Sequence, residues 1–237
     1  MTAESSGSSS VAATEIRLPD PALVVLVGAA GAGKSTFAAR HFAADEVISS
    51  DALREAVSGD EADQRATRLV FSILHRDVVR RLAAGRSVVV DATNVEPHAR
   101  RALIARAANA GVPAVAIVLA LPRDVVSQRN RSRAGRVVDA EIVDRHLGRL
   151  ATALDSGTIA SEGFRAVHVV TTTAALEGIR IVREPGAEPD RPARPDSELA
   201  PGQAERWSGA DRTSADEHDR DDRDGDPERV AAADRLP

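Results

Sequence analysis

The sequence predicts an α/β fold in which helices cover both faces of a five-stranded parallel sheet, giving three layers. Two observations support this prediction. Short, continuous apolar runs recur between residues 15 and 183, and segments with helical periodicity separate them. Continuous apolar runs are typical of parallel strands buried on both faces. Strands that alternate with helices favour a parallel sheet covered by those helices.

The predicted elements follow one another without an internal repeat. The strands lie at residues 23–27, 46–49, 87–91, 113–121 and 166–170. The helices lie at about 36–40, 61–84, 97–110, 122–133, 139–154 and 174–180. Gly85 and Gly111 stand where a glycine commonly ends a helix. Pro97 suits a first helical turn, and Asp139 is a favourable N-cap.

Two of these helices have an apolar stripe that indicates the buried face. In the helix over 61–84 the stripe is predicted to consist of Ala66, Leu69, Val70, Ile73 and Leu74. In the helix over 139–154 the predicted packing residues are Ile142, His146, Leu147 and Leu150. Spacings of three and four residues place such side chains on one face of a helix.

Composition excludes several classes of protein. Hydrophobic residues make up 43% of the 237 residues and aromatic residues only 2%, so the core is expected to be aliphatic. There is no cysteine, which excludes disulfides and thiolate metal sites. No apolar run reaches the roughly 18 residues that a membrane span requires. The first residues lack the pattern of a secretory signal, so a cytoplasmic location is predicted.

Charge and composition divide the chain into three parts. Residues 1–14 are rich in Ser and Ala and are expected to be disordered, and residues 15–183 form the predicted domain. Residues 184–237 contain 16 acidic and 8 basic residues, a net charge of −8, which leaves a net charge of +3 in residues 1–183. Because the acidic part has few aliphatic residues, it is expected to be a disordered tail. The role of its single tryptophan, Trp207, is left open.

The segment after the first predicted strand indicates a phosphate-binding loop. It is composed of Gly28, Ala29, Ala30, Gly31, Ala32, Gly33, Lys34, Ser35 and Thr36, which matches G-x-x-x-x-G-K-[ST]. Lys34 is the only lysine in the chain. In such a loop, backbone N–H groups bind phosphate oxygens, the lysine reaches the β- and γ-phosphates, and the serine hydroxyl ligates Mg²⁺. The segment therefore predicts a P-loop NTPase fold that binds ATP and Mg²⁺.

Asp51 follows the second predicted strand and is the candidate general base. Ligands of open parallel sheets bind beyond the carboxyl ends of the strands, so Asp51 is expected near the phosphates. There it could accept the proton of an alcohol acceptor, while Arg54 could hold an anionic group of that acceptor. Alternatively, Asp51 only caps a helix.

An arginine-rich segment follows the fourth predicted strand. If this segment is helical, Arg129 and Arg133 lie on one face and could form a short helical lid that stabilises charge on the transferred phosphoryl group. A solvated basic face is the alternative.

Asp91 ends the third predicted strand, at a position where P-loop proteins often hold Mg²⁺. It is a tentative metal residue together with Ser35. The alternative is a polar strand end that caps the next helix.

Residues from Leu23 to about Thr172 resemble the 5′-hydroxyl polynucleotide kinase module of bacterial polynucleotide kinase-phosphatases. The matching segments are 31–38, 46–51, 89–95, 121–122, 129–130, Arg133 and 162–165. The resemblance implies a kinase with an AAA-type ATP-binding domain in which Asp51 is the general base, Arg54 binds an acceptor phosphate, and Arg129 and Arg133 contact the donor phosphates.

The predicted function is transfer of the γ-phosphate of ATP to the 5′-hydroxyl of an RNA or DNA end, so a nucleic-acid end is the expected partner. One alternative is a kinase of a small-molecule alcohol, such as a sugar, a nucleotide-sugar or an antibiotic. A second is a non-kinase ATPase or nucleotide switch of the AAA type. No membrane partner is expected, and the sequence predicts no oligomeric state.

Overall fold

The computed structural model describes residues 14–57, 64–133 and 137–185. The segments expected to be disordered, 1–14 and 184–237, lie outside these ranges apart from residues 14, 184 and 185. Within the described ranges, no helix has both the length and the apolar character needed to cross a membrane.

The described residues form seven strands and eight helices. The strands are β1 (Glu15–Asp20), β2 (Leu23–Val27), β3 (Val47–Ser49), β4 (Val88–Asp91), β5 (Ala114–Leu119), β6 (Ala166–Val170) and β7 (Arg180–Pro185). The helices are α1 (Lys34–His41), α2 (Ser50–Val57), α3 (Gln64–Ala83), α4 (Pro97–Asn109), α5 (Arg123–Arg131), α6 (Ala140–Asp155), α7 (Thr158–Ser161) and α8 (Thr173–Gly178).

The predicted five-stranded parallel sheet is confirmed. Its strand order is β3-β4-β2-β5-β6, and each neighbouring pair is parallel. Every residue of β2, β4 and β5 is buried, as expected of strands covered on both faces. The outer strands β3 and β6 are only partly buried.

Two hydrophobic clusters lie on opposite faces of this sheet and form the outer layers with the helices. Leu23, Val25 and Val27 of β2 pack in one cluster with residues of α3 and α4. Val24 and Leu26 pack in the other, with residues of α1 and α5. Because successive side chains of β2 point to opposite faces of the sheet, this central strand contributes to both clusters.

A second, two-stranded parallel sheet was not predicted. In it, β1 pairs with β7, with Glu15 opposite Arg180. Ile16 and Leu18 are buried and join the cluster that contains Val24. The last strand extends to Pro185, two residues beyond the domain boundary expected from composition.

The buried stripe of α3 differs in part from the prediction. Val70 and Leu74 are buried as expected, and the stripe continues through Val78 and Leu82. Leu69, however, is 50% exposed. The core-facing residues are spaced by four, which leaves the neighbouring position 69 on the solvent side of the helix.

Half-buried histidines should make the fold sensitive to mild acid. His41, His75, His146 and His168 each have a buried ring nitrogen with no hydrogen-bond partner among the described residues. Burial lowers the pKa of each side chain below its ordinary value of 6.5. The unfolded chain therefore takes up protons at a higher pH than the folded chain does. The contribution of these histidines to stability is fully present above pH 6.5 and is lost as the pH falls through their lower folded pKa.

We expect the urea midpoint of unfolding to decrease when the pH is lowered from 7.5 to 5.5. The double variant His75→Gln/His168→Gln should show a smaller decrease than the unmodified chain. The exposed His98 provides the control substitution His98→Gln. If the double variant and the control have the same pH dependence, the buried histidines are not its cause.

Candidate active site

The site lies at the carboxyl end of the five-stranded sheet, where three strands end side by side. Asp91 of β4 is in register with Leu26 of β2 on one side and with Ser49 of β3 on the other. The glycine-rich loop follows β2, and α2, which carries Asp51, follows β3 directly. The groups predicted from sequence therefore emerge along one edge of the sheet.

The loop between β2 and α1 contains glycines in the left-handed backbone region and leads directly into a helix. Gly31 and Gly33 have φ values of 87° and 94°, which favour glycine. Gly33 is the N-cap of α1, and Lys34 is the first residue of that helix. The unpaired N–H groups of this helix start, together with the helix dipole, favour an anion.

Lys34 is held by the loop that it follows. Its Nζ donates hydrogen bonds to the carbonyl oxygens of Gly28 and Ala29, both at 3.0 Å, and the residue is 8% exposed. Burial lowers its pKa to about 8, against the opposing effect of the nearby Asp91 and Asp51 carboxylates. The ammonium group is therefore mostly charged at neutral pH, and both carboxylates act on it electrostatically.

Asp51 lies in the first turn of α2 with its side chain 60% exposed. Its Oδ1 accepts a hydrogen bond from Nη1 of Arg54 at 2.8 Å, and its Oδ2 is 3.8 Å from Nη2 of Arg133. In this turn the Ser49 hydroxyl, rather than the Asp51 carboxylate, accepts a hydrogen bond from the N–H of Ala52. The Asp51 carboxylate thus lies between two arginines, with Oδ2 held by the weaker contact.

The arginine segment packs against the glycine-rich loop. Nη1 of Arg129 lies 3.3 Å from the position that a Cβ atom on Gly33 would occupy. Asn130 is buried, donates through Nδ2 to the carbonyl of Val138 at 2.7 Å, and accepts from the Val138 N–H at 3.2 Å. With Arg133 in contact with Asp51, both predicted lid arginines lie beside the loop or Asp51.

A buried polar network supports the loop after β4. Nδ2 of Asn94 donates to the carbonyl of Leu26 at 2.8 Å, and Asn94 adopts a positive φ of 48°. Arg100 donates to the carbonyls of Asn94 and Val95 and pairs through two hydrogen bonds, at 2.6 and 2.7 Å, with Glu162. The network ties the segment after Asp91 to the end of β2, directly before the glycine-rich loop.

The sequence analysis predicted no individual role for Asn94, Arg100 or Asn130. The sequence could have indicated the backbone conformation of Asn94, because asparagine is enriched at positive φ. Arg100 and Glu162 are 62 positions apart, and nothing in either local sequence indicates that they pair.

Gly31 should be intolerant of any side chain. A Cβ atom there would lie 2.5 Å from the backbone carbonyl oxygen of Val126, and a backbone atom cannot move aside as a side chain could. Together with the positive φ, we expect Gly31→Ala to lower the free energy of unfolding by about 2–4 kcal/mol, measured by urea denaturation. Gly111, at φ 66° and with no atom of the described residues within 4 Å of its added Cβ, is the matched control. If Gly111→Ala costs as much, the contact with α5 is not the reason.

Comparison with known proteins agrees with this architecture. The model of the AAA domain family matches residues 23–155, which is more than half of the chain. The chain belongs to this family. The matched region runs from β2 to the end of α6 and so contains the glycine-rich loop, Asp51, Asp91 and the arginine segment. No curated protein matches the sequence.

The chain is also similar to several solved structures. One, from the Pnkp1/Rnl/Hen1 RNA repair complex, is 21% identical with a TM-score of 0.51, and the alignment covers 59% of this chain and 47% of that one. The chain therefore spans about half of that structure. A sugar kinase from Janibacter sp. HTCC2649 is 22% identical, with a TM-score of 0.45 and coverage of 64% and 85%. A gluconokinase from Sinorhizobium meliloti 1021 is 19% identical, with a TM-score of 0.42 and coverage of 68% and 93%. The predicted P-loop NTPase fold is confirmed.

Proposed function

We propose that this protein is an ATP-dependent kinase that phosphorylates an alcohol. The observation that supports the proposal is the position of two groups at one edge of the sheet. The Lys34 ammonium group follows β2, and the Asp51 carboxylate follows β3, near enough to oppose the lowering of the Lys34 pKa by burial. A phosphate-binding cation opposite an exposed carboxylate is the arrangement that phosphoryl transfer to a hydroxyl requires.

The donor nucleotide is assigned to the loop side of the site. The N–H groups of residues 28–36 and Lys34 would bind the β- and γ-phosphates, and Arg129 and Arg133 would contact the same phosphates from the lid.

The residues present also fit Mg²⁺. Among the described residues, no group of three or more His, Asp or Glu side chains could bind a metal by itself. The Ser35 hydroxyl and the buried Asp91 carboxylate, together with phosphate oxygens and water, provide the oxygen ligands that Mg²⁺ prefers. The ion would neutralise charge on the phosphates.

The proposed reaction assigns a proton transfer to Asp51. Its carboxylate accepts the proton of the acceptor hydroxyl while the hydroxyl oxygen bonds to the γ-phosphorus. The bond between that phosphorus and the β–γ bridging oxygen breaks, and ADP leaves. Oδ2 is the oxygen available for this role, because its contact with Arg133, at 3.8 Å, is longer than a hydrogen bond. Movement of Arg133 onto the phosphates would free it completely.

Two acceptor classes remain consistent with the site. The 5′-hydroxyl of an RNA or DNA end is supported by the resemblance, by the net charge of +3 in residues 1–183, and by Arg54, which lies beside the proposed base and could bind an acceptor phosphate. A small-molecule alcohol is supported by the net charge of −8 in residues 184–237, which would repel a polyanion.

The test supplies γ-labelled ATP and Mg²⁺ with three acceptors in parallel: a 5′-hydroxyl oligonucleotide, the same oligonucleotide already 5′-phosphorylated, and a pool of small metabolites. Label on the first oligonucleotide alone identifies a polynucleotide kinase. Label on a small molecule, with none on either oligonucleotide, identifies the alternative. Release of free phosphate with no labelled acceptor would instead indicate an ATPase or nucleotide switch and would contradict the kinase proposal.

A further inference from the structure

The helix α6 crosses the carboxyl edge of the five-stranded sheet. Val143, near its start, is buried in the cluster that contains Val24, whereas Leu150 and Ala153 are buried in the cluster on the opposite face. The helix therefore passes from one side of the sheet to the other. Arg149 of α6 pairs with Glu96, which follows the carboxyl end of β4, so the helix passes over the edge where the site lies. Residues midway between Val143 and Leu150, on the same helical face, lie above that edge.

His146 occupies this midway position. It is three residues after Val143 and four before Leu150, so the three side chains share one face of α6. Its Nδ1 is buried and has no hydrogen-bond partner among the described residues. Lys34 lies near enough to act on the imidazole electrostatically and, together with Arg145 and burial, lowers its pKa. Within the described part of the chain, a polar side chain above the site thus has one ring nitrogen without a partner.

We propose that His146 is an acceptor-binding residue whose neutral imidazole hydrogen-bonds to an oxygen of the alcohol substrate. A neutral imidazole can both donate and accept, as a hydroxyl compound requires. The donor phosphates already have cationic partners in Lys34 and the lid arginines. A neutral imidazole would contribute little to the binding of these phosphates. This inference rests on the proposed kinase activity and goes beyond it by assigning the residue that recognises the acceptor.

The experiment compares His146→Leu with His168→Leu. His168 is the matched control, because it too is half-buried and has a ring nitrogen with no partner in the described ranges, but it lies on β6. Loss of one hydrogen bond should raise the KM for the acceptor by about 3–10-fold in His146→Leu. The affinity for ATP should change by less than about twofold. His146→Gln, which keeps a polar group, should recover part of the loss.

Three results would overturn the inference. The first is an unchanged acceptor KM in His146→Leu. The second is an equal loss of ATP and acceptor binding, and the third is the same KM change in His168→Leu, which would indicate a general effect of packing. Label transfer by the unmodified chain, with any of these results, overturns the role of His146 alone. No transfer to any acceptor by the unmodified chain overturns the proposed function and this inference together.

Discussion

Replacing Asp51 with asparagine should lower the rate of phosphoryl transfer by about 10²–10⁴-fold, the usual contribution of a positioned general base. Asparagine has nearly the same shape but cannot accept the hydroxyl proton. Because the side chain is 60% exposed and its ion pairs lie at the surface, the folded state should lose little stability. The affinity for ATP should change by less than about twofold, since the glycine-rich loop is untouched. Steady-state kinetics and nucleotide titration measure the two effects.

Asp45→Asn is the matched control for this prediction. Asp45 lies just before β3, whereas Asp51 lies just after it, so the two are at opposite ends of one strand. Asp45 is also exposed and also pairs with an arginine, Arg86. The control should leave transfer unchanged. An Asp51→Asn variant with the transfer rate of the control would remove Asp51 from the mechanism, whatever the acceptor proves to be.

Replacing Glu162 with alanine should cause a large loss of stability. The Arg100 side chain is 0% exposed and that of Glu162 only 2%. Without its partner, the guanidinium group would be a buried charge with no compensating carboxylate, which costs about 3–5 kcal/mol. The loss should appear as a lower urea midpoint. Because Arg100 also donates to the carbonyls of Asn94 and Val95, the loop that follows β4 should become less ordered.

Two further variants separate burial from charge in this prediction. Asp144→Ala breaks the exposed ion pair with Arg123 and should cost less than about 1 kcal/mol. The double variant Arg100→Leu/Glu162→Leu removes both charges, and should be less destabilised than Glu162→Ala alone. A Glu162→Ala variant as stable as Asp144→Ala would show that the Arg100–Glu162 pair does not hold this part of the fold together.

The five central strands could be predicted because each is a local property of the sequence. The run 23–27 is apolar at every position. Such a continuous apolar run is typical of a strand buried on both faces. The ends of α4 were similarly predictable, since Pro97 and Gly111 act through their own backbone preferences.

The β1–β7 sheet could not be predicted in the same way. Its strands are six residues long, each contains a proline, and only Ile16 and Leu18 of β1 are fully buried. Proline is typical of strand ends and edges and weakens a strand prediction. Pairing joins Glu15 to Arg180 across the whole domain, and no local pattern encodes a partner at that distance.

The site was predictable where a topological rule applied. Because ligands bind beyond the carboxyl ends of parallel strands, Lys34, Asp51 and Asp91 were expected at one edge, and the structure brings them together there. The position of His146 depends instead on the path of α6 over the sheet edge. The sequence of that helix predicts only a packing residue on its buried face.

The central claim is that a phosphate-binding cation and a catalytic base face one another across the bound triphosphate. A crystal structure with Mg²⁺ and a non-hydrolysable ATP analogue tests it most directly. The account predicts that the γ-phosphate accepts a hydrogen bond from Nζ of Lys34 and that the Asp51 carboxylate opens onto the same phosphate with no protein between them. A triphosphate bound away from residues 28–36, or an Asp51 side chain separated from the γ-phosphate by other residues, would contradict it.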